Sequence, residues 1–153
     1  MSLNLVLIEP EIPNNTGNIG RLALGTGSTL HLVKPFGFEL TDKRLKRAGL
    51  DYWQHLNVIM YENVHEFFEQ HKDKKMVFFS ATATKSHWEI NFENDMFLVF
   101  GKESVGLPKE LLQQNIENTA KIPLYSEHIR SLNLANAVAI TIYEGLRQIN
   151  LKQ

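Results

Sequence analysis

The sequence predicts an α/β fold: a mostly parallel sheet flanked by helices. Short, nearly continuous apolar runs alternate with segments of helical periodicity along the chain. Runs of that kind are what strands look like when helices cover both faces of a sheet. Several of the runs also end in polar, glycine-rich stretches, and ligand loops of α/β sheets sit at the carboxyl ends of strands.

The elements follow in order. Leu3 to Ile8 reads as a buried strand that stops at Glu9-Pro10. In the stretch "EIPNNTGNIGRLA" after it, Ile19, Leu22 and Ala23 recur at helical spacing, and Asn14, Asn15 or Thr16 can cap that helix. Leu30, Leu32 and Val33 form a second strand, ended by Pro35, and Leu56 to Tyr61 a third. Asn63 with Glu66 reads as a capping box for a helix through His71. Met76 to Phe79 and Met96 to Phe100 are the fourth and fifth strands. Pro108 suits the first position of a short helix through Gln114, and Ala120 to Leu124 is a sixth strand. Leu134, Val138, Ile142, Leu146 and Ile149 share one face of a final amphipathic helix.

A length of 153 residues is that of one ordinary domain, read here as spanning 1–153. With 43% hydrophobic and 22% charged residues, the composition excludes a disordered chain. The absence of cysteine excludes disulfides, thiolate-held zinc and a cysteine nucleophile, and fits a reducing compartment. There is no basic leader with an apolar segment and no run of ~18 apolar residues. The expectation is therefore a cytoplasmic protein with no membrane partner. Net charge is −1, so any nucleic-acid contact needs local positive charge. Lys43, Arg44, Lys46 and Arg47 supply one such place; a solvated helix face is the other reading of that run.

Three strand exits carry the chemistry. In the first, Gly17 and Gly20 let backbone approach a ligand or another helix, and Arg21 lies near a helix end that favours anions. A plain helix start with a surface arginine is the alternative. In the second, Gly101 and Gly106 bracket Glu103 in a backbone-rich loop able to read a base edge. Neither the dinucleotide fingerprint nor a P-loop is present. In the third, Ser131 and Asn133 precede the last helix, as caps or as a polar cluster, and Ala135, Ala137 and Ala139 permit close packing.

Taken together, Asn15-Thr16-Gly17-Asn18-Ile19-Gly20-Arg21, Phe100-Gly101-Lys102-Glu103-Ser104-Val105-Gly106-Leu107-Pro108, and Ile122-Pro123-Leu124 with Ser131-Leu132-Asn133-Leu134-Ala135-Asn136-Ala137 resemble the three motifs of the SPOUT RNA methyltransferases. The stretches "EPEIPNNTGNIGRL", "HLVKPFGF", "DKRLKRAGLDYW" and "SLNLANAVAITIYE" resemble the small single-domain group that methylates the ribose 2′-oxygen of the tRNA wobble nucleotide, cytidine or uridine. Lys102, Val105, Ala135 and Gly20 depart from the residues common in that group.

The resemblance implies a C-terminal deep trefoil knot and S-adenosylmethionine bound against it by Ala81, Thr82, Gly101, Ile122, Leu124, Ser131 and Leu132. It implies Arg21, Asn15, Glu103 and Asn133 as catalytic residues and requires no metal. Arg21 is assigned proton removal with help from a substrate phosphate, or the gentler task of holding that phosphate and stabilising a developing alkoxide. Asn15 and Asn133 orient it, Glu103 anchors the network, and Tyr143 is either a further site residue or core packing. The partners implied are the tRNA anticodon stem-loop and a second copy of the chain, with the arginine of one subunit near the cofactor of the other. Lys43, Arg44, Lys46 and Arg47 would then meet phosphates, and Tyr52, Trp53 and Trp88 either stack on bases or pack internally. A methyltransferase acting elsewhere on RNA and a non-catalytic RNA-binding module are the rival readings.

Overall fold

A computed structural model describes residues 2–41 and 51–153. Its centre is a six-stranded, wholly parallel sheet: β1 (Asn4–Ile8), β2 (Thr29–Val33), β3 (Val58–Tyr61), β4 (Met76–Phe79), β5 (Phe97–Phe100) and β6 (Thr119–Ala120). The spatial order is β3-β2-β1-β5-β4-β6. Asn4 pairs in register with Thr29 on one side and Phe97 on the other, so β1 is central.

The helices are α1 (Pro13–Gly25), α2 (Val64–Gln70), α3 (Lys109–Gln114) and α4 (Leu134–Leu151), with short 3₁₀ turns η1 (Asp51–His55), η2 (His87–Glu89) and η3 (Ile116–Asn118). Side chains alternate along β1, as a strand requires. Leu3, Leu5 and Leu7 enter a core with Ile19 and Ala23 of α1 and Val138, Ile142 and Ile149 of α4. Val6 and Ile8 enter a second core with Phe67, Phe78 and Val99 on the opposite face. Burying each such side chain contributes roughly 1.5–3 kcal/mol, so the two apolar faces of β1 hold the helices on both sides.

The expected strands and helices form with edges shifted. The sixth strand, expected over Ala120 to Leu124, is only Thr119–Ala120. Beyond it, residues from Lys121 onward leave the ladder after one isolated bridge to Ser86 and line a cleft instead. α1 begins at Pro13 with Ile12 as its N-cap and no side-chain cap from Asn14, Asn15 or Thr16. Proline is preorganised for the first helical position, which draws the helix start ahead of those polar residues. Asn63 Oδ1 accepts the Glu66 N–H at 2.8 Å, yet Glu66 reaches back to the N–H of Glu62 rather than of Asn63. The reciprocal box forms instead at Ser86 and Glu89, opening η2.

Tyr143 does not pack in the core: it is 57% exposed, on the side of α4 opposite Val138, Ile142 and Gly145.

Candidate active site at the carboxyl ends of the strands

In the order β3-β2-β1-β5-β4-β6, the chain steps outward from β1 through β2 to β3, then reverses, crossing past β1 to β4 and back inward to β5 before β6 takes the far edge. A sheet of this kind opens a crevice beyond the carboxyl ends at such a reversal. The exits of β1 and β5 meet there and are laced by two carboxylates. Glu103, after β5, accepts hydrogen bonds from the backbone N–H of Glu11 (2.9 Å) and Ile12 (2.8 Å) and from Asn15 Nδ2 (3.2 Å). Glu11, after β1, accepts from the backbone N–H of Ser104 (2.9 Å) and its hydroxyl (2.7 Å). Those bonds from Ser104 hold the Glu11 carboxyl below the usual carboxylate range.

Glu103 thus does for α1 what no local side chain does. It satisfies free N–H groups at the helix entrance and places negative charge against the positive end of the dipole. Glu9 adds a third link, its carboxylate 3.3 Å from Lys102 Nζ, with its backbone in the left-handed region at φ 54°. That conformation is unfavourable for a residue with a Cβ, and such positions concentrate at functional turns.

The third exit joins through Asn133. Its Oδ1 accepts the Asn136 N–H and so caps α4, while its Nδ2 donates to Asn15 Oδ1 at 3.1 Å. Asn15 is buried and bonds on both sides, to Glu103 and to Asn133. A continuous chain, Glu103–Asn15–Asn133, therefore binds the three exits into one wall.

That wall faces a cleft of about 550 Å³. Ala81 and Thr82 after β4, Gly101 after β5, and Ile122, Leu124, Ser131 and Leu132 after β6 all line it, as do Asn15, Glu103 and Asn133. Gly101 is required by its surroundings: a Cβ there would run into the backbone of Gly106 and Leu107, which close the same loop. Gly106 has φ 71°, which suits only glycine well. Phe79 and Phe100 stack with centroids 4.8 Å apart where β4 and β5 enter the cleft wall.

Arg21 is not brought into this cleft within its own chain. It is exposed on α1, its guanidinium carbon 5.7 Å from the centroid of the Tyr52 ring. Lys43, Arg44, Lys46 and Arg47 lie outside the described residues. Of the aromatic residues singled out, Tyr52 and Trp53 pack on α1 while Trp88 stays 58% exposed. Sequence reasoning missed Glu11, whose partner lies 93 residues away and leaves no local signal. Among the described residues no group of three or more His, Asp or Glu could hold a metal ion, and no helix is long and apolar enough to cross a membrane.

A larger groove of about 810 Å³ opens at the other end of the sheet, beside Lys75 before β4, Met76 at its start and Met96 before β5. It collects none of the three exits, so the smaller cleft is where the chemistry converges.

The family description "SpoU rRNA Methylase family" matches residues 2–143. The chain belongs to this family. A Bacillus subtilis relative, provisionally named a tRNA (cytidine(34)-2'-O)-methyltransferase, is 46% identical over 99% of this chain and 96% of its own length. A Saccharophagus degradans protein named tRNA (cytidine(34)-2'-O)-methyltransferase is 45% identical, with 95% of each chain covered. A solved structure described as giving structural insights into the 2-OH methylation of C/U34 on tRNA superposes with a TM-score of 0.89 at 44% identity, covering 96% of this chain and 95% of that one. The family member therefore matches these relatives along nearly its whole length, so the α/β fold with its parallel sheet is shared with them.

Proposed function

We infer that this chain is a tRNA 2′-O-methyltransferase acting on the ribose of cytidine or uridine 34. It belongs to a methylase family, and near-full-length relatives carry that activity in their names. The observation that carries the reading onto this chain's own residues is the cleft at the sheet reversal, with three exits tied by Glu103, Asn15 and Asn133.

S-adenosylmethionine is the methyl donor of this family. The cleft fits it: about 550 Å³ lies within the range of small-molecule sites, and the walls combine apolar surface with glycine backbone. Gly101, Ile122, Leu124, Ser131 and Leu132 would hold it, with Ala81 and Thr82 closing the pocket. When bound, it supplies a sulfonium methyl, an electrophile that needs no metal.

What remains for the protein is alignment of the ribose and stabilisation of charge on its 2′-oxygen. Asn15 and Asn133 face the cleft with their amides already fixed by each other, so polar groups are preorganised there at no further ordering cost. Glu103 keeps the entrance of α1 in place and through it the helix that carries Arg21. The guanidinium clamps a substrate phosphate and offsets negative charge on the 2′-oxygen as that oxygen passes its proton to a phosphate oxygen or to water.

Because Arg21 stands outside its own chain's cleft, a second copy of the chain completes the site. Leu24 of α1 and Ile140 and Tyr143 of α4 support this. They are exposed apolar side chains on two helices that pack against each other. Large apolar groups left exposed together mark interaction surfaces. Of the small residues of α4, Ala135 packs against the chain's own core and Ala137 lines the cleft.

The reading extends to four further points. The methyltransferase domain spans 1–153, and the protein works in the cytoplasm, where tRNA is its substrate. The C-terminal segment threads a trefoil knot. The path after β6 supports the knot: it leaves an edge strand, lines the same cleft as the β4 and β5 exits, and meets Asn15, beyond central β1, through Asn133. The basic run from Lys43 to Arg47 supplies phosphate contacts to the anticodon stem-loop.

Mass spectrometry of tRNA digests after incubation with protein and S-adenosylmethionine tests the function. The expected product carries one added methyl on the ribose of nucleotide 34. A methyl mapped to ribosomal RNA or another tRNA position would replace the substrate assignment. No methyl on any RNA, from a folded protein whose melting temperature rises with the cofactor, would end the enzymatic reading.

A further inference from the structure

Gly17, Gly20 and Arg21 stand at positions i, i+3 and i+4 of α1, and so share one strip of its surface. η1 lies along that strip. A Cβ on Gly20 would come within 2.6 Å of Trp53 Cζ3, so the ring fills the space a side chain would take. Tyr52 Oη donates to the Gly17 carbonyl at 2.6 Å, and the Tyr52 ring lies beneath the Arg21 guanidinium.

The Gly17 carbonyl is the one that, in an α-helix, accepts the N–H four residues on, which is that of Arg21. Tyr52 therefore grips the turn that carries Arg21 at its backbone and cradles the same residue at its charged end.

We propose that Tyr52 is the positioning residue for Arg21, holding its guanidinium over a fixed aromatic face so that it meets RNA phosphate in one orientation. Arg21 needs such a device. It is exposed, and among the described residues no carboxylate pairs with it. A free arginine side chain explores many rotamers, and ordering it during catalysis slows every turnover. A cation over an aromatic face is held without neutralising it, which leaves the full charge for the substrate. Burial raises the Tyr52 phenol above its usual value, while the Arg21 charge works in the opposite direction, so the hydroxyl stays a donor to Gly17. Gly20 is part of the same device, because its missing side chain is what lets η1 settle on the helix.

The inference rests on the reading of Arg21 as the RNA-facing group, and its test separates the two. Single-turnover methylation of an anticodon stem-loop is measured for wild type, Tyr52→Phe, Tyr52→Leu, Arg21→Lys and Arg21→Lys/Tyr52→Leu. Tyr52→Leu is expected to lower the rate about 10-fold with S-adenosylmethionine affinity unchanged by calorimetry, and Tyr52→Phe, which keeps the ring, about 3-fold. In the Arg21→Lys background, Tyr52→Leu should cost less than about 2-fold, because coupled residues are not additive.

A merely structural role predicts the same loss in both backgrounds, and that result overturns the proposal, as does a Tyr52→Leu rate equal to wild type. A readout without activity stands beside it: in protein carrying carbon-labelled tyrosine, Arg21→Ala should shift the Tyr52 ring resonances and raise its phenol pKa. Resonances that do not move overturn the contact even if Tyr52→Leu fails to fold. A wild-type protein that methylates no stem-loop removes the function but leaves this spectroscopic result to decide the contact.

Discussion

The Glu103–Asn15–Asn133 network and the His31–Tyr61–His71 chain are both strings of side-chain hydrogen bonds inside one parallel sheet, yet they differ in what surrounds them. In the second, His31 Nδ1 pairs with Tyr61 Oη at 2.7 Å, Tyr61 Oη with His71 Nε2 at 2.9 Å, and His31 Nε2 with Asn4 Oδ1 at 2.9 Å. Phe67 and Phe97 pack around the rings, and His31 and Tyr61 are each 2% exposed.

Burial, with the neighbouring His71, pushes His31 down to about 4, and burial likewise lowers His71. None of this touches the cleft. The first network joins residues from three exits, and every member lines the cleft. A displaced histidine pKa therefore marks an aromatic cluster packed away from the cleft here, while the site is marked by convergence of loops at the sheet reversal. Perturbed titration points to function only when it coincides with an accessible cleft.

Mutations on the cleft side should act on ligand binding, and changes in the aromatic cluster on stability alone. The largest effect is expected from Gly101→Ala. A Cβ at that position meets backbone, which cannot yield as a side chain would, and the loop carrying Glu103 must move. S-adenosylmethionine affinity should fall roughly 100-fold, consistent with an overpacking cost of up to about 3 kcal/mol, by calorimetry on a protein that still folds. Retained affinity would show that this loop does not shape the cofactor wall.

Glu103→Ala should come next. It strips the N–H groups of Glu11 and Ile12 and the amide of Asn15 of their common acceptor. The expected cost is about 2 kcal/mol in urea unfolding, together with weaker cofactor binding. A loss of stability without any loss of binding would confine Glu103 to capping α1.

In the aromatic cluster, the effect is one of pH. The folded pKa of His31 lies below its ordinary 6.5, so the unfolded chain takes up a proton that the folded chain refuses. Stability is complete above about pH 6.5 and falls as pH drops toward 4. Between pH 7 and pH 5 the loss from this residue should be about 2 kcal/mol. His31→Gln should lower stability at neutral pH and flatten that slope, with cofactor affinity at pH 7 unchanged. An equal slope in the variant would assign the acid sensitivity to other groups.

Much of the architecture was legible because it is written locally. The apolar runs of β1, β2, β4 and β5 and the face formed by Val138, Ile142 and Ile149 are periodic over a few residues, and periodicity needs no partner to be read. The end of β6 was not legible, since Ile122 and Leu124 are apolar for the cleft and not for a ladder. Apolar character alone does not distinguish those two fates. Nor was the cap of α1: Asn14, Asn15 and Thr16 are good capping residues, but the cap comes from Glu103, 91 residues from Ile12.

By itself, the sequence determined the α/β class, the order of its strands along the chain, and the three polar exits whose motifs resemble a methyltransferase family. These are carried by short-range patterns of hydrophobicity and by residue types at close spacing. Only the tertiary structure decided the spatial order of the strands, the meeting of the three exits in one cleft, the exclusion of Arg21 from its own chain's cleft, and the seating of Tyr52 beneath it. Each of these depends on contacts between segments far apart in the chain, and no local pattern specifies which distant partner a buried polar group will find.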